Sequence, residues 1–75
     1  MVDPAPLSEA PPDCLLRVVR VEVDPADMGR VKALGICVGR QVTVVQRGDP
    51  LVIRIVGTRL GISSHLASAV FVKSA

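Results

Sequence analysis

The sequence predicts a small, mostly β domain in which five short strands form a partly closed barrel. Short runs of Val, Ile and Leu alternate with polar residues, and Gly, Pro and Asp separate the runs. At 75 residues the chain has room for one core only. Because hydrophobic residues make up 49% of the chain and Phe71 is the single aromatic residue, aliphatic side chains must build that core.

The first strand is predicted at residues 15–23, LLRVVRVEV, where apolar and charged residues alternate towards the end. The alternation slips by one residue at Val18 and Val19. A slip of this kind predicts a β-bulge, which lets a strand bend around a small barrel.

A short helix is predicted in the first long connection. Asp24 is a candidate N-cap and Pro25 suits the first helical position. Apolar residues then recur at every third position and form one stripe: Met28, Val31 and Leu34. Gly35 comes directly after this stripe, at the position where a left-handed residue caps the C-terminus of a helix. Gly39 is predicted to form a second structural turn.

Alternating residues predict three further strands, at residues 40–47, 51–56 and 59–62. Leu51, Ile53 and Ile55 share one face of the middle strand. Ser63 or Ser64 can cap a helical turn through residue 67, and residues 70–72 form the last strand. Five strands with these connections predict an SH3-like barrel over residues 13–75.

Residues 1–12 are expected to be an extended, Pro-rich lead-in, since they hold four of the six prolines. The N-terminus does not resemble a signal peptide, and no run of about 18 apolar residues could cross a bilayer. Cys14 and Cys37 lack paired spacing and are interpreted as small buried hydrophobic residues. These features favour the cytoplasm and no direct membrane insertion.

Charge is distributed unevenly along the chain. Residues 1–13 carry three acids and no base, whereas residues 14–75 carry nine bases and four acids. The body is therefore +5 and the tail −3. A basic body suits an acidic partner, phosphate or lipid headgroups, but such a charge is also ordinary for solubility.

No catalytic residue and no cofactor is predicted. The single histidine, His65, has no nucleophile at a spacing that would pair them, and it is assigned to a turn. The segment between Gly35 and Gly39 lacks the lysine and following helix of a phosphate loop, so the chain is not expected to bind GTP. No metal site is predicted, and His65 is the one weak candidate ligand.

Nucleic-acid binding is the main alternative for a small basic barrel. Base stacking needs aromatic platforms, and the one ring, Phe71, is assigned to the core. Backbone contacts alone could come from four arginines: Arg40, Arg47, Arg54 and Arg59. The lack of aromatic rings therefore argues against nucleic acid as a ligand, and it argues equally against a groove for Pro-rich peptides.

Protein binding is the function class that these exclusions leave. Ile36, Cys37 and Val38 place three apolar side chains in a connection between two glycines that is normally polar. They are the predicted partner-binding residues, with one of the three assigned to the core and the others to contact. The sequence is also compatible with weak self-association.

The segment Arg30 to Ile36, RVKALGI, followed by Gly39 and the VTV strand, resembles the signature of the FeoA family of ferrous iron transport proteins. The similarity continues through DPL at 49–51 and GTRLGI at 57–62, and covers about residues 12–73. Three positions depart from the family pattern: Val38 replaces a proline, Ser63 replaces an arginine, and Asp13-Cys14 replaces a glycine.

This resemblance implies an SH3-like barrel that works in the cytoplasm beside FeoB, a membrane protein with a GTP-binding domain that imports ferrous iron. It implies an accessory role by protein binding, without catalysis. The same domain also occurs fused to metal-responsive repressors, so a detached regulatory domain of that type is the alternative that the family offers.

Overall fold

The computed structural model describes residues 4–75. Six strands, two short α-helices and one 3-10 turn follow one another along the chain. In order they are β1 (Ala5–Pro6), the 3-10 turn (Leu7–Glu9), β2 (Leu15–Val21), α1 (Pro25–Ala33), β3 (Gln41–Gln46), β4 (Leu51–Ile55), β5 (Thr58–Ile62), α2 (Ser64–Ala67) and β6 (Val70–Ser74).

The strands form one antiparallel sheet in the order β1-β6-β2-β3-β4-β5. The five predicted strands correspond to β2 to β6, and the mostly β class is confirmed. The predicted barrel is not closed, because β1 and β5 lie at opposite ends of the sheet. The sheet nevertheless bends, since the ladders of β2 with β6 and of β3 with β4 each contain a register shift. The shift in β2 falls between Val18 and Arg20, where the sequence predicted it.

One face of the sheet packs on an aliphatic core. The predicted face of β4 is confirmed, because Leu51, Ile53 and Ile55 are all buried. The other large buried side chains come from nearly every element: Leu7, Leu16, Val18, Val31, Ile36, Val42, Val44, Ile62, Val70 and Val72. No helix among residues 4–75 is long and apolar enough to span a membrane.

Helix α1 has the predicted boundaries. Pro25 is its first residue and Asp24 occupies the N-cap, where its main-chain carbonyl accepts from the amide of Asp27 at 2.8 Å, while its carboxylate makes no capping bond. At the other end the amide of Gly35 donates to Lys32 O at 2.9 Å and that of Ile36 to Val31 O at 3.2 Å. These two bonds define a Schellman cap, which requires the φ of +87° seen at Gly35.

The N-terminal segment, which was expected to be an extended lead-in with little structure of its own, is part of the fold. Ala5–Pro6 pairs with β6, and Leu7 and Ala10 are fully buried in the core. Prolines exclude ladder bonds from their own nitrogens, but a two-residue edge strand and a 3-10 turn tolerate them. Residues 1–3, including the acidic Asp3 of the predicted tail, lie outside the described residues.

Asp13 stands just before β2 with a φ of +64°, and its amide donates to Val44 O at 2.9 Å. This is the place where the resemblance led us to expect a glycine. Aspartate is one of the few residues that tolerate the left-handed region, so the departure from the family pattern preserves the turn.

Candidate partner-binding groove

The structure separates the three predicted contact residues. Ile36 is only 2% exposed and belongs to the core, so its assignment to a partner surface is wrong. The Schellman cap turns its side chain inward, because a hydrophobic residue directly after the left-handed glycine packs back on the helix. Cys37 and Val38 lie outside, and Val38 is 66% exposed.

Three large aliphatic side chains are exposed among the described residues, and they all line one groove of about 680 Å³. They are Leu15, Val38 and Val56, which are 52%, 66% and 65% exposed. Cys37, Arg40 and Arg54 also line this depression, and Gln41 and Thr43 of β3 contribute to it. We call it the outer groove.

The loop that carries Cys37 and Val38 is held against β2 by main-chain hydrogen bonds. The amide of Gly39 donates to Val18 O at 2.8 Å, and the amide of Val18 donates to Arg40 O at 2.9 Å. Gly39 reaches this geometry with a φ of +92°, a conformation that favours glycine. The bonds fix the loop backbone, so Val38 is presented to solvent from a rigid support.

The opposite side of the groove is the two-residue turn that joins β4 to β5. Val56 and Gly57 both have positive φ, +51° and +74°, between the paired residues Ile55 and Thr58. Turns of this kind usually place Asn, Asp or Gly first, because a β-branched residue is strained there by about 1–3 kcal/mol. The sequence predicted the break one residue later, at residues 57–58, and assigned Val56 to the strand, which the structure corrects.

Leu15 was predicted as a strand residue and its exposure was missed. The signal was present in the alternation: Leu16 and Val18 are buried, so Leu15 must face outward. Leu15 pairs with Thr43 and Thr43 with Arg54, which brings β2, β3 and β4 together in the groove.

Both cysteines are exposed, which corrects their interpretation as buried residues. Cys14 lies in the turn before β2, and Cys37 lies in the outer groove with Arg40 Nη2 at 3.9 Å from its Sγ. Sequence alone favoured burial because cysteine is commonly buried, but both positions lie in connections outside the strands and helices, where their side chains are exposed.

We therefore expect both thiols to react in the native protein. Titration with a coloured disulfide reagent should modify two thiols per chain without denaturant, at rates close to those in the unfolded chain. Cys14→Ser and Cys37→Ser should each reduce the number of reactive thiols to one, which identifies the cysteine responsible for each reaction. A thiol that reacts only after denaturation would contradict its exposed position.

His65 lies away from the outer groove. It is exposed on α2, whose N-cap is Ser63, with Ser63 Oγ accepting from the amide of Leu66 at 3.1 Å. Together with Glu22, Asp24 and Asp27 it lines a second depression of about 270 Å³. Within residues 4–75 no three His, Cys, Asp or Glu side chains are arranged to hold a metal ion.

Phe71 is partly exposed, which corrects its assignment to the core. The guanidinium of Arg20 lies 4.3 Å from its ring centroid, and Arg20 also pairs with Glu22 at 3.1 Å. The ring faces the outside because Val70 and Val72, its neighbours on β6, are both buried. A cation already covers the ring, at the second depression and not at the outer groove.

The bent antiparallel sheet, the helix in its first long connection and the helical turn before the last strand define a small SH3-like β domain. The FeoA domain model matches residues 5–74, so the chain belongs to the FeoA domain family. The expectation drawn from the sequence motifs is thereby confirmed.

Solved structures agree with this family. The chain superposes on the crystal structure of an iron uptake regulatory protein (FeoA) with a TM-score of 0.89 and 26% identity, covering 99% of this chain and 100% of that one. The FeoA protein of Chlorobium tepidum gives a TM-score of 0.81 and 27% identity over 91% of this chain and 68% of that chain.

The same fold occurs within larger proteins. IdeR from T. acidophilum gives a TM-score of 0.89 at 18% identity, covering all of this chain and 36% of that one. At this identity the likeness shows the fold alone. No curated protein matches the sequence significantly.

Proposed function

We propose that this protein is a cytoplasmic accessory of FeoB-type ferrous iron transport, and that it acts by binding the transporter rather than by catalysis. Membership of the FeoA family supports the transport role. Two proteins with this fold are described as an iron uptake regulatory protein and an iron(II) transport protein.

The observation that carries the binding role is the outer groove. Exposed aliphatic side chains are normally scattered, whereas those on the described residues of this small domain, Leu15, Val38 and Val56, all line one concavity. This clustering of exposed apolar side chains supports an interaction site in the outer groove. We place the transporter's contact there, with Cys37 and Val38 retained from the sequence prediction and Leu15 and Val56 added.

The residues that line the outer groove suit protein binding better than catalysis. Its lining combines aliphatic groups, one thiol and the guanidinium groups of Arg40 and Arg54. Among the described residues that line it there is no carboxylate or imidazole to serve as a base for Cys37. His65 lines the separate depression beside α1 and α2.

A regulatory domain of the metal-responsive repressor type is the second candidate, supported by the fold. A manganese-dependent transcriptional repressor superposes with a TM-score of 0.89 at 20% identity, and this chain spans 38% of its length. Two FeoA proteins have the same fold at 26% and 27% identity and carry the family name, which favours the transport role.

The transport role is tested by capture of the cytoplasmic GTP-binding part of a FeoB-type transporter from the same genome. We expect saturable binding by the wild-type chain. Leu15→Ser combined with Val38→Ser should weaken it about tenfold or more, because both substitutions remove apolar contact area, while the melting temperature changes little at such exposed positions.

The matched control is Ala26→Ser combined with Ala33→Ser, which changes two exposed apolar residues on α1. This control should bind like the wild type. Equal binding by the folded Leu15/Val38 variant would exclude the outer groove as the contact surface. Absence of any binding by the wild type would exclude the transporter as the partner.

A further inference from the structure

The outward face of the sheet pairs basic residues with basic residues. Arg54 on β4 is directly opposite Arg59 on β5, and Arg17 on β2 is directly opposite Lys73 on β6. Like charges that face each other across neighbouring strands are destabilising. Both pairs lie on the same outward face, since the neighbours of Arg17 and of Arg54 along their strands are buried core residues and directly paired residues share a face.

No ion pair within residues 4–75 joins a carboxylate to any of these four basic side chains. The one ion pair within residues 4–75 joins Arg20 to Glu22, beside Phe71. Glu22, Asp24 and Asp27 line the second depression. Asp49 caps the start of α2, with its Oδ1 accepting from the amide of Ser64 at 3.1 Å.

The basic pairs adjoin the outer groove. Arg54 belongs to both the Arg–Arg pair and the groove lining, and Arg40 supplies a second guanidinium there. Arg17 is paired with Gln41, which lines the groove from β3. The outer groove is thus an open depression with aliphatic side chains in its lining and basic side chains around it that form no ion pair within residues 4–75.

We propose that the outer groove binds an acidic peptide segment that carries aliphatic side chains, presented by the partner protein. Aliphatic side chains of the segment contact Leu15, Val38 and Val56, and its carboxylates face Arg40, Arg54 and Arg59. The proposal rests on the proposed function and specifies the chemistry of the partner's docking segment.

The lining of the site favours a peptide over the other anionic partners. The outer groove is open, and residues of β2, β3 and β4 line it beside Val38 and Val56, so an extended segment can place aliphatic side chains and carboxylates along it. Single-stranded nucleic acid needs a ring for stacking, and Phe71 lies at the other depression beneath Arg20. Carboxylates opposite the guanidinium groups also remove the repulsion between Arg54 and Arg59.

The test uses a labelled decapeptide in which glutamate and leucine alternate, with fluorescence anisotropy as the readout. Two control peptides replace every glutamate with lysine or every leucine with serine. We expect the wild-type chain to bind the first peptide at least about tenfold more tightly than either control in dilute salt, and the preference over the lysine peptide to shrink as salt screens the charges.

Arg54→Glu tests the role of the basic pair most directly, because it places a carboxylate opposite Arg59. The substitution should raise the melting temperature by a few degrees, since an opposite-charge pair replaces a like-charge pair. It should also weaken binding of the acidic peptide about tenfold. Arg30→Glu on the exposed side of α1 makes the same change in net charge outside the groove and should leave binding within about twofold of the wild type.

Unchanged peptide affinity in Arg54→Glu would overturn the proposal, and so would equal binding of the lysine peptide. Vesicles of phosphatidylglycerol test the lipid alternative. If Arg54→Glu reduces binding to vesicles while peptide binding is unaffected, the groove recognises lipid and the proposal is wrong. Because the probe is a synthetic peptide, these outcomes are independent of whether the transporter is captured.

Discussion

Ile36→Ser is expected to unfold the domain or to reduce its free energy of unfolding by about 3–5 kcal/mol. Ile36 is 2% exposed, so the substitution leaves a cavity in the core and buries a hydroxyl. A domain of this size has a total stability of roughly 4–11 kcal/mol, and the loss would remove a large share of it. Urea denaturation followed by circular dichroism measures the change.

Val38→Ser is the matched control, two residues further along the same loop. Its side chain is 66% exposed, and we expect a change within about 0.5 kcal/mol. If both variants were equally stable, Ile36 would not be a core residue and the Schellman geometry would be incorrect. If both unfolded, Val38 would pack inside and could not belong to a contact surface.

Gly35→Val is expected to cost about 2–3 kcal/mol. Gly35 has a φ of +87°, which β-branched residues avoid most strongly. A Cβ at this position would lie 3.5 Å from Val56 Cγ2, an ordinary contact, so the cost comes from the backbone and not from a clash. Thermal and urea unfolding of the variant measure the loss.

Two controls separate backbone strain from the loss of a glycine as such. Gly35→Asn should cost much less than Gly35→Val, because asparagine tolerates the left-handed region. Gly29→Ala lies within α1, where a Cβ meets no atom within 4 Å, and should stabilise the helix by up to about 1 kcal/mol. A Gly35→Val variant as stable as the wild type would rule out the left-handed cap.

The two variants also bear on the outer groove. Gly35 and Ile36 begin the loop that presents Cys37 and Val38, and the Cβ position of Gly35 is next to the side chain of Val56. Strain at the cap should therefore disturb both sides of the groove. We expect partially folded Gly35 variants to lose partner binding in proportion to their loss of structure, whereas Val38→Ser loses contact area alone.

Much of the fold could be predicted because its signals are local. Pro25 and Gly35 mark the ends of α1, Ser63 caps α2, and the slip at Val18 and Val19 marks the bulge. Each depends on backbone conformations and hydrogen bonds within a few residues of chain. The FeoA family could also be identified at this level, from motifs and their spacing.

Part of the candidate site could be predicted as well. The apolar segment of Ile36, Cys37 and Val38 between two glycines was interpreted as an edge of the core or a contact patch, and two of the three residues line the outer groove. The sequence could not predict which of the three side chains is buried and which are exposed. Which side chain of an apolar tripeptide turns inward depends on the cap geometry and on the space left by the core around it.

The remaining features depend on contacts between distant parts of the chain. The Pro-rich segment joins the sheet because β6 offers it an edge, and Leu7 fills a space in the core. Strand register places Leu15 beside Thr43 and Arg54 opposite Arg59. The sequence by itself determined β2 to β6 and the two α-helices, since their hydrogen-bonding and periodicity signals are local. Only the tertiary structure decided which side chains meet on the outer surface, because strand pairing joins residues that are far apart in the chain.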